Sequence, residues 1–361
     1  MNSPDILQGL NPAQHDAVIH RGGPLLVVAG AGSGKTRVLT QRIAHLIQED
    51  NINPFQILAI TFTNKAAQEM KDRVAALVGP VAEKMWVSTF HSACVRILRR
   101  DAEQLGYPSA FSIYDQADAT RLTGYVVRDL GLDSKKFVAR SVHAQISNLK
   151  NELISTDAAL DRADGIFGRK IAEIYDEYQR RLRSAGAMDF DDLLTVTVQL
   201  FDNFPNALSH YQERFQHVLV DEYQDTNPAQ NDIVLKLGDK HRNVFVVGDS
   251  DQSVYAFRGA DIRNILEFEK AFPDTCAVVL DQHYRSTQTI LDAANSVISN
   301  NYGRKPKELW TDKSGGDKIV MYRADDEVDE AAWIIGELQR LHGQGGLRWS
   351  DVAIFYRANA Q

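Results

Sequence analysis

The stretch Leu25-Leu26-Val27-Val28-Ala29-Gly30-Ala31-Gly32-Ser33-Gly34-Lys35-Thr36 passes from an apolar run of strand length into a glycine-rich turn that ends in lysine and threonine. Behind it, Leu39, Ile43, Leu46 and Ile47 fall at i, i+4, i+7 and i+8, the apolar stripe of a helix. A strand, a glycine-rich turn and a helix in that order form a cradle for phosphate. Glycines let backbone N–H groups close around the oxygens, and the helix N-terminus adds partial positive charge. Within it, Lys35 is expected to reach the β/γ-phosphates of a nucleotide and the Thr36 hydroxyl to ligate Mg2+. The first position is Ala29 where the usual pattern has glycine, a change that a small residue tolerates. A glycine-rich turn without a ligand is the plainer reading, and the flanking strand and helix speak against it.

Five more apolar runs surround this one in the sequence: Ile57–Ile60, Trp86–Val87, Val218–Val220, Val244–Val247 and Val278–Leu280. None alternates with polar residues, as expected of parallel strands covered on both faces. Each runs into a polar, Gly- or Asp-rich turn, and ligands of such sheets sit at the carboxyl ends of strands, so the turns should converge on one crevice. The fold class expected is α/β with a doubly wound parallel sheet. Between about Arg96 and Arg183 the pattern is amphipathic and strand-poor, as in Ala117–Leu130 and Ile171–Leu182, which reads as a helical insertion. After Leu280 come loops around 301–306 and 313–316. A strand at Lys318–Tyr322, a helix at Val328–Leu341 and a strand at Asp351–Arg357 then begin another α/β unit, which stops at Gln361 without closing a sheet. The expected organisation is a first α/β domain in two segments, 1–95 and 186–280, a helical insertion at 96–185, and a partial second domain at 281–361.

The 361 residues carry 40 Lys+Arg against 48 Asp+Glu, a net charge of −8, so no global positive field draws the molecule to nucleic acid or an anionic membrane; any nucleic-acid site must be a local groove. Cys94 and Cys276 lie far apart and in no metal-ligand spacing, which argues against a disulfide framework or zinc site and for a reducing compartment. No apolar run approaches the ~18 residues of a membrane span, and the N-terminus lacks a basic start followed by an apolar stretch. A cytoplasmic protein without membrane association is expected.

Two further segments carry chemistry. His217-Val218-Leu219-Val220-Asp221-Glu222-Tyr223-Gln224-Asp225 ends an apolar strand in paired carboxylates. Beside a phosphate cradle the first acid can hold the Mg2+ shell and the adjacent Glu222 can orient or deprotonate an attacking water, which implies hydrolysis rather than binding alone. Without the cradle, such a pair would be an ordinary solvated loop. In Val246–Asp261, Gln252 beside the crevice could feel a γ-phosphate, while Tyr255, Phe257 and Arg258 offer planar groups on which bases stack at ~1–3 kcal/mol each. For the aromatics by themselves, core packing is the plainer reading.

With these segments the chain resembles the N-terminal part of a UvrD/Rep/PcrA-type superfamily 1 DNA helicase, from Leu10-Asn11-Pro12-Ala13-Gln14 through Gln361. Further matching motifs, in the family's order, are Thr61-Phe62-Thr63-Asn64-Lys65-Ala66-Ala67, Val87-Ser88-Thr89-Phe90-His91-Ser92, Met188-Asp189-Phe190-Asp191-Asp192-Leu193 and Gln282-His283-Tyr284-Arg285-Ser286-Thr287. The resemblance implies a RecA-like P-loop NTPase fold and an ATP-driven motor moving 3′→5′ along single-stranded DNA, acting at single-strand/duplex junctions, with ATP and Mg2+ as cofactors and a role in DNA repair or replication. At matching positions it implies that Gln14 reads the adenine edge and that Tyr284 and Arg37 flank base and sugar. Ala29, Gly30, Ala31, Gly32, Ser33, Gly34, Lys35 and Thr36 would bind phosphate, with Thr36 and Asp221 at the metal. Lys35, Glu222, Gln252 as γ-phosphate sensor and Arg285 as an arginine finger would be catalytic. Phe62, Asn64, His91, Phe190, Tyr255, Phe257 and Arg258 fall where the family binds single-stranded DNA.

Phe257 stands where the family commonly has Trp, which keeps a stacking surface. Arg96/Arg99/Arg100 and Arg180/Arg181/Arg183 read as solvated helix faces rather than duplex contacts. The family's later motifs, including a second arginine finger, have no counterpart before Gln361, so the expectation is a truncated form that hydrolyses ATP weakly and does not unwind duplex. The N-terminal part of a helicase–nuclease subunit, a P-loop kinase or metabolic ATPase, and an ATP-binding fragment without motor activity stay open as alternatives.

Overall fold

The structure, a computed structural model, describes residues 6–253, 260–301, 305 and 307–356. Its strands in chain order are β1 (Leu25–Ala29), β2 (Ile57–Thr61), β3 (Trp86–Thr89), β4 (Ser112–Tyr114), β5 (Ala187–Asp189), β6 (His217–Val220), β7 (Val244–Gly248) and β8 (Cys276–Leu280). Six of them form one sheet in the order β3-β2-β6-β7-β1-β8, every pair parallel. All six apolar runs are strands of this sheet, and the fold is α/β with a parallel sheet of the RecA-like kind.

The pleat explains why these runs do not alternate. Leu26, Val28, Leu58, Ile60, Val218, Val220 and Val246 turn to one core, which the helices Phe90–Asp101 and Phe190–Asn203 cover. Leu25, Val27, Ala29, Ile57, Ala59, Leu219, Phe245 and Val247 turn to the other, under the helix Lys35–Gln48 through Val38, Leu39, Ile43 and Leu46. Where the runs of β1, β2, β3, β6 and β7 are buried on both faces, each position has to be apolar, at roughly 1.5–3 kcal/mol per buried Val, Leu or Phe; β8, at the edge of the sheet, is buried only at Leu280. Parallel strands also bring every following turn to the same edge, where Lys35, Asp221, Glu222 and Gln252 lie.

Between β3 and β6, the helices Gln116–Asp129, Ala139–Asn151, Thr156–Arg162 and Gly165–Ser184 build a third core around Val126, Ile146, Ile174, Tyr178 and Leu182. A parallel pair that the sequence pattern did not reveal, β4 with β5, lies within this part of the chain. Three residues per strand are too few to show a period. Three of the arginines here are engaged within the protein: Arg99 donates to the carbonyls of Ser109 and Phe111 at 2.9 and 2.7 Å, and Arg180 and Arg181 pair with Glu177 at 2.7 Å.

The chain forms two compact units, Met1–Ser314 and Gly315–Gln361. The first continues past β8 through the helix Gln288–Ile298 and the parallel bridge of Gln282 with Trp310. In the second, the helix Glu327–Gly343 is capped by Asp326, which accepts from the amides of Val328 and Asp329. Tyr322 stacks on Trp333 at 4.8 Å and His342 on Trp349 at 4.3 Å. The strands expected at Lys318–Tyr322 and Asp351–Arg357 are not formed among the described residues. A strand exists by sharing a ladder, and among the described residues neither segment is paired in one; Trp349–Asp351 instead closes a 3-10 turn held by Arg348 and Asp351. No helix among the described residues is long and apolar enough to cross a membrane.

Candidate nucleotide site and aromatic groove

The turn after β1 is shaped by glycines that a side chain would not fit. Gly34 is the N-cap of the helix Lys35–Gln48 at φ 91°, and a Cβ there would come within 2.8 Å of Gln14 Nε2. Gly32 has φ 67°, and a Cβ would meet the His283 ring at 2.6 Å. Ser33 ties the loop by donating from Oγ to the Gly30 carbonyl at 2.8 Å, and Gly30 N donates to Leu280 O at 3.1 Å. Ala29 closes β1 fully buried, so its methyl packs where a glycine would leave a gap. Ala31 is half-buried on the loop, and Thr36 follows Lys35 in the first helical turn.

Lys35 and Glu222, 187 residues apart, meet at the carboxyl edge of the sheet: Lys35 Nζ lies 2.8 Å from Glu222 Oε2. Glu222 follows β6 in the left-handed region, φ 51° and ψ 43°, which costs about 1–3 kcal/mol in a non-glycine residue and aims the side chain at the loop. Asp221 accepts the Glu222 amide at 3.0 Å and is buried. Burial first, and the charge of Glu222 second, push the Asp221 carboxyl up to about 7. Asp225 is raised to about 6 by the same two causes, and its Oδ1 is buried with no hydrogen-bond partner. Crowded, under-compensated carboxylates fit a divalent cation that takes one or two carboxylates and completes its shell with phosphate oxygens and water, the habit of Mg2+. Among the described residues no three His, Cys, Asp or Glu side chains enclose a metal by themselves.

A buried polar path leads on from Glu222. Gln224 donates to Glu222 Oε2 at 2.9 Å and accepts the Asp249 amide at 2.9 Å. The Asp249 carboxylate in turn accepts from the side chain of Gln252. Gln224 links the two acidic turns after β6 and β7, yet neither its type nor its spacing marks it in the sequence.

On the other side of the loop, Gln14 is buried in the first turn of the helix Pro12–Ile19, with Asn11 as capping-box partner. Gln14 Nε2 donates to Ser33 O at 2.8 Å and its Oε1 accepts from Asn11 N at 3.1 Å. Asn11 also donates to Tyr284 Oη at 2.9 Å, and Tyr284 N donates to Gly32 O at 3.0 Å. Arg37 donates to Gln8 O at 3.0 Å. Gln14, Arg37 and Tyr284 thus surround one side of the glycine loop. Arg285 is exposed beside them, its amide donating to His283 Nδ1 at 3.0 Å, as does Ser286 at 2.9 Å. Burial, then Arg285 and Lys313, hold the His283 imidazole below its usual pKa. A neutral ring that accepts at Nδ1 fixes this turn, a role that the motif alone does not disclose.

A second feature lies on the β2–β3 side. Phe62 packs edge-on to Phe90 at 5.9 Å, and His91 meets Phe190 edge-on at 5.7 Å, with Phe190 half exposed. Phe62, His91, Ser147, Asn151, Asp191 and Asp225 are among the residues lining a groove of about 540 Å³. Neither Phe190 nor Asn64, which is exposed at the start of the helix Asn64–Val78, is among its lining residues. Burial lowers the His91 pKa, so the ring is neutral at pH 7. Tyr255, Phe257 and Arg258 lie outside the described residues.

Fold, glycine loop and facing carboxylates define a P-loop protein of the RecA-like class. Residues 10–273 match the model of the UvrD/REP helicase N-terminal domain, and residues 278–361 that of the UvrD-like helicase C-terminal domain. The chain belongs to the UvrD/REP helicase family. It is 51% identical over 359 residues to ATP-dependent DNA helicase PcrA of Bacillus subtilis, a match covering 99% of this chain and 49% of that protein. It is 55% identical over 366 residues to ATP-dependent DNA helicase UvrD1 of Mycobacterium tuberculosis, covering 98% and 47%. With PcrA of Staphylococcus aureus the identity is 52% over 356 residues, covering 99% and 49%. The chain spans about half the length of these relatives.

Proposed function

We propose that the chain is the ATP-hydrolysing part of a DNA helicase that moves 3′→5′ along single-stranded DNA and works at single-strand/duplex junctions, in DNA repair or replication in the cytoplasm. The observation that carries this reading is the meeting of Lys35 and Glu222 beside Asp221, with a polar path from Glu222 to Gln252. In this reading residues 1–95 and 186–280 form the first RecA-like domain, 96–185 the helical insertion beside the groove, and 281–361 the start of the second RecA-like domain.

The Lys35–Glu222 pair couples substrate binding to chemistry. A triphosphate in the glycine loop draws Lys35 Nζ to the β/γ-phosphates, which releases Glu222 to accept a proton from the attacking water as its oxygen bonds to the γ-phosphorus and ADP leaves. Bound Mg2+ would neutralise triphosphate charge, with the Thr36 hydroxyl and Asp221 as its protein donors. Gln14 has used one N–H and one lone pair, leaving one of each, the complement of adenine N6–H and N7. Arg37 and Tyr284 would flank sugar and base, Arg285 would stabilise charge developing on the γ-phosphate, and Gln252 would report its presence.

Phe62, Asn64, His91 and Phe190, with Tyr255, Phe257 and Arg258, would hold the single strand. Among the described residues the groove is lined by Phe62, Phe90 and His91, rings on which bases of a strand would stack. Steady-state ATP turnover with and without single-stranded DNA, beside Glu222→Gln, tests the proposal. Stimulation by DNA that vanishes in the variant is expected. Turnover indifferent to DNA, with ATP still bound, would overturn the motor reading.

A further inference from the structure

Lys307 belongs to no motif singled out in the sequence, yet its side chain is 1% exposed and pairs with two carboxylates. Its Nζ lies 2.6 Å from Asp249 Oδ1 and 2.6 Å from Asp251 Oδ2. Asp249 is the carboxylate that also accepts from the Gln252 side chain, and its Oδ1 accepts the Asp251 amide at 3.0 Å. The 3-10 turn Ser250–Gln252 is thereby held from one point. Two residues on, the Leu309 side chain lies so close over Gly30 that a Cβ there would come within 2.2 Å of Leu309 Cδ2, and Lys305 pairs with Glu269. Leu309 therefore touches the glycine loop and Lys307 the turn after β7. Lys307 falls in the part matched by the C-terminal family model, its two partners in the part matched by the N-terminal one.

We infer that Lys307 is a positioning residue for hydrolysis: it fixes Asp249 and Asp251 so that Gln252 is presented to the γ-phosphate of ATP, and it makes that presentation depend on the segment after β8. The chemistry requires such a cation. Asp249 and Asp251 stand beside a site for a polyanion, and an unpaired buried carboxylate there would repel the triphosphate or swing out toward water, taking Gln252 with it. One ammonium between both acids removes the repulsion and sets the distance between them. The inference rests on the reading of the site as an ATPase.

The test uses the 361-residue chain and Lys307→Met, Lys307→Arg and Asp251→Asn. It reads ATP turnover with and without oligo(dT), and amide hydrogen exchange over residues 249–252. Lys307→Met should lower the DNA-stimulated kcat about 10- to 100-fold, the usual effect of a displaced catalytic neighbour, while KM for ATP moves by less than about 3-fold. Exchange at 249–252 should quicken. Lys307→Arg keeps the charge and should recover a part of kcat, and Asp251→Asn, which leaves the Asp249 bond in place, should lose less than Lys307→Met. Wild-type kcat and unchanged exchange in Lys307→Met overturn the inference. A parallel fall in melting temperature with kcat and KM both altered in all three variants also overturns it, since that is the signature of a packing role. Should Lys307→Met fail to fold, Asp251→Asn carries the same two readouts. If the unaltered chain shows no DNA-stimulated turnover, the proposed function has failed, and exchange alone decides for Lys307: quicker in Lys307→Met supports it, unchanged refutes it.

Discussion

Lys150 and Lys307 are each buried to 1% side-chain exposure between two aspartates, one at the start of the helix Phe190–Asn203 and one at the turn after β7. Lys150 Nζ lies 2.7 Å from Asp189 and 2.8 Å from Asp192, whose carboxylates also accept from Tyr178 at 2.8 Å and Gln179 at 3.0 Å. Asp189 and Asp192 form the capping box of the helix that starts with Phe190. Burial opposes the Lys150 charge, and the two carboxylates override it and raise its pKa. The same arrangement around Lys307 holds a turn of three residues that carries Gln252 rather than the end of a fourteen-residue helix. A buried ion pair between rigid elements is a weld, and the same pair on a short turn is a device for positioning. The comparison predicts that losing Lys150 costs stability and losing Lys307 costs turnover.

The sharpest way to break that contrast is Lys150→Met. It leaves two carboxylates buried without their cation and should destabilise the chain by about 3–5 kcal/mol in denaturant unfolding. A loss below about 1 kcal/mol would remove the distinction between the two lysines. Glu222→Gln acts on chemistry instead: it removes the proton acceptor and should lower ATP turnover at least about 100-fold while the chain still binds nucleotide. Retained turnover would move the base elsewhere.

Asp221 tests a buried carboxylate with no lysine bonded to it. Its pKa rises from 3.8 to about 7 on folding, so the folded state holds a proton that the unfolded state has released, and stability from this group is full below pH 3.8 and lost as pH rises through 7. Asp221→Asn should match the unaltered chain near pH 4 and exceed it increasingly toward pH 8, by at most about 4 kcal/mol at about 1.4 kcal/mol per unit. A gap independent of pH would refute the burial of an uncompensated charge. The smallest effect is expected of Phe190→Ala, which should weaken single-strand binding in an anisotropy titration by about 1–3 kcal/mol and leave unfolding stability within about 1 kcal/mol. Unchanged affinity would take Phe190 out of strand binding.

The parallel sheet and the glycine loop were legible because they rest on local rules. A strand buried on both faces has to be continuously apolar, and a loop that wraps phosphate needs glycine at the left-handed positions Gly32 and Gly34. The Asp221–Glu222 pair was legible for the same reason, standing where a strand ends at the sheet's carboxyl edge. In the tail the helix expected at Val328–Leu341 forms, as Glu327–Gly343, while the strands do not: the apolar residues of Lys318–Tyr322 satisfy a strand pattern, but a pattern does not supply the neighbouring strand that a ladder requires.

Three residues that organise the site carry no sequence signal for the pairing they make, because their partners are remote in the chain. Gln224 bridges to Asp249 over 25 residues, Lys307 reaches Asp249 over 58, and His283 packs against Gly32 from far beyond β7. Family resemblance named the candidate site residues one by one, and local chemistry explains why those types stand there. Which of them are joined, through which buried carboxylate and to which lysine, follows from folding alone, because hydrogen bonds and ion pairs between distant segments come into being when the sheet brings their turns to one edge.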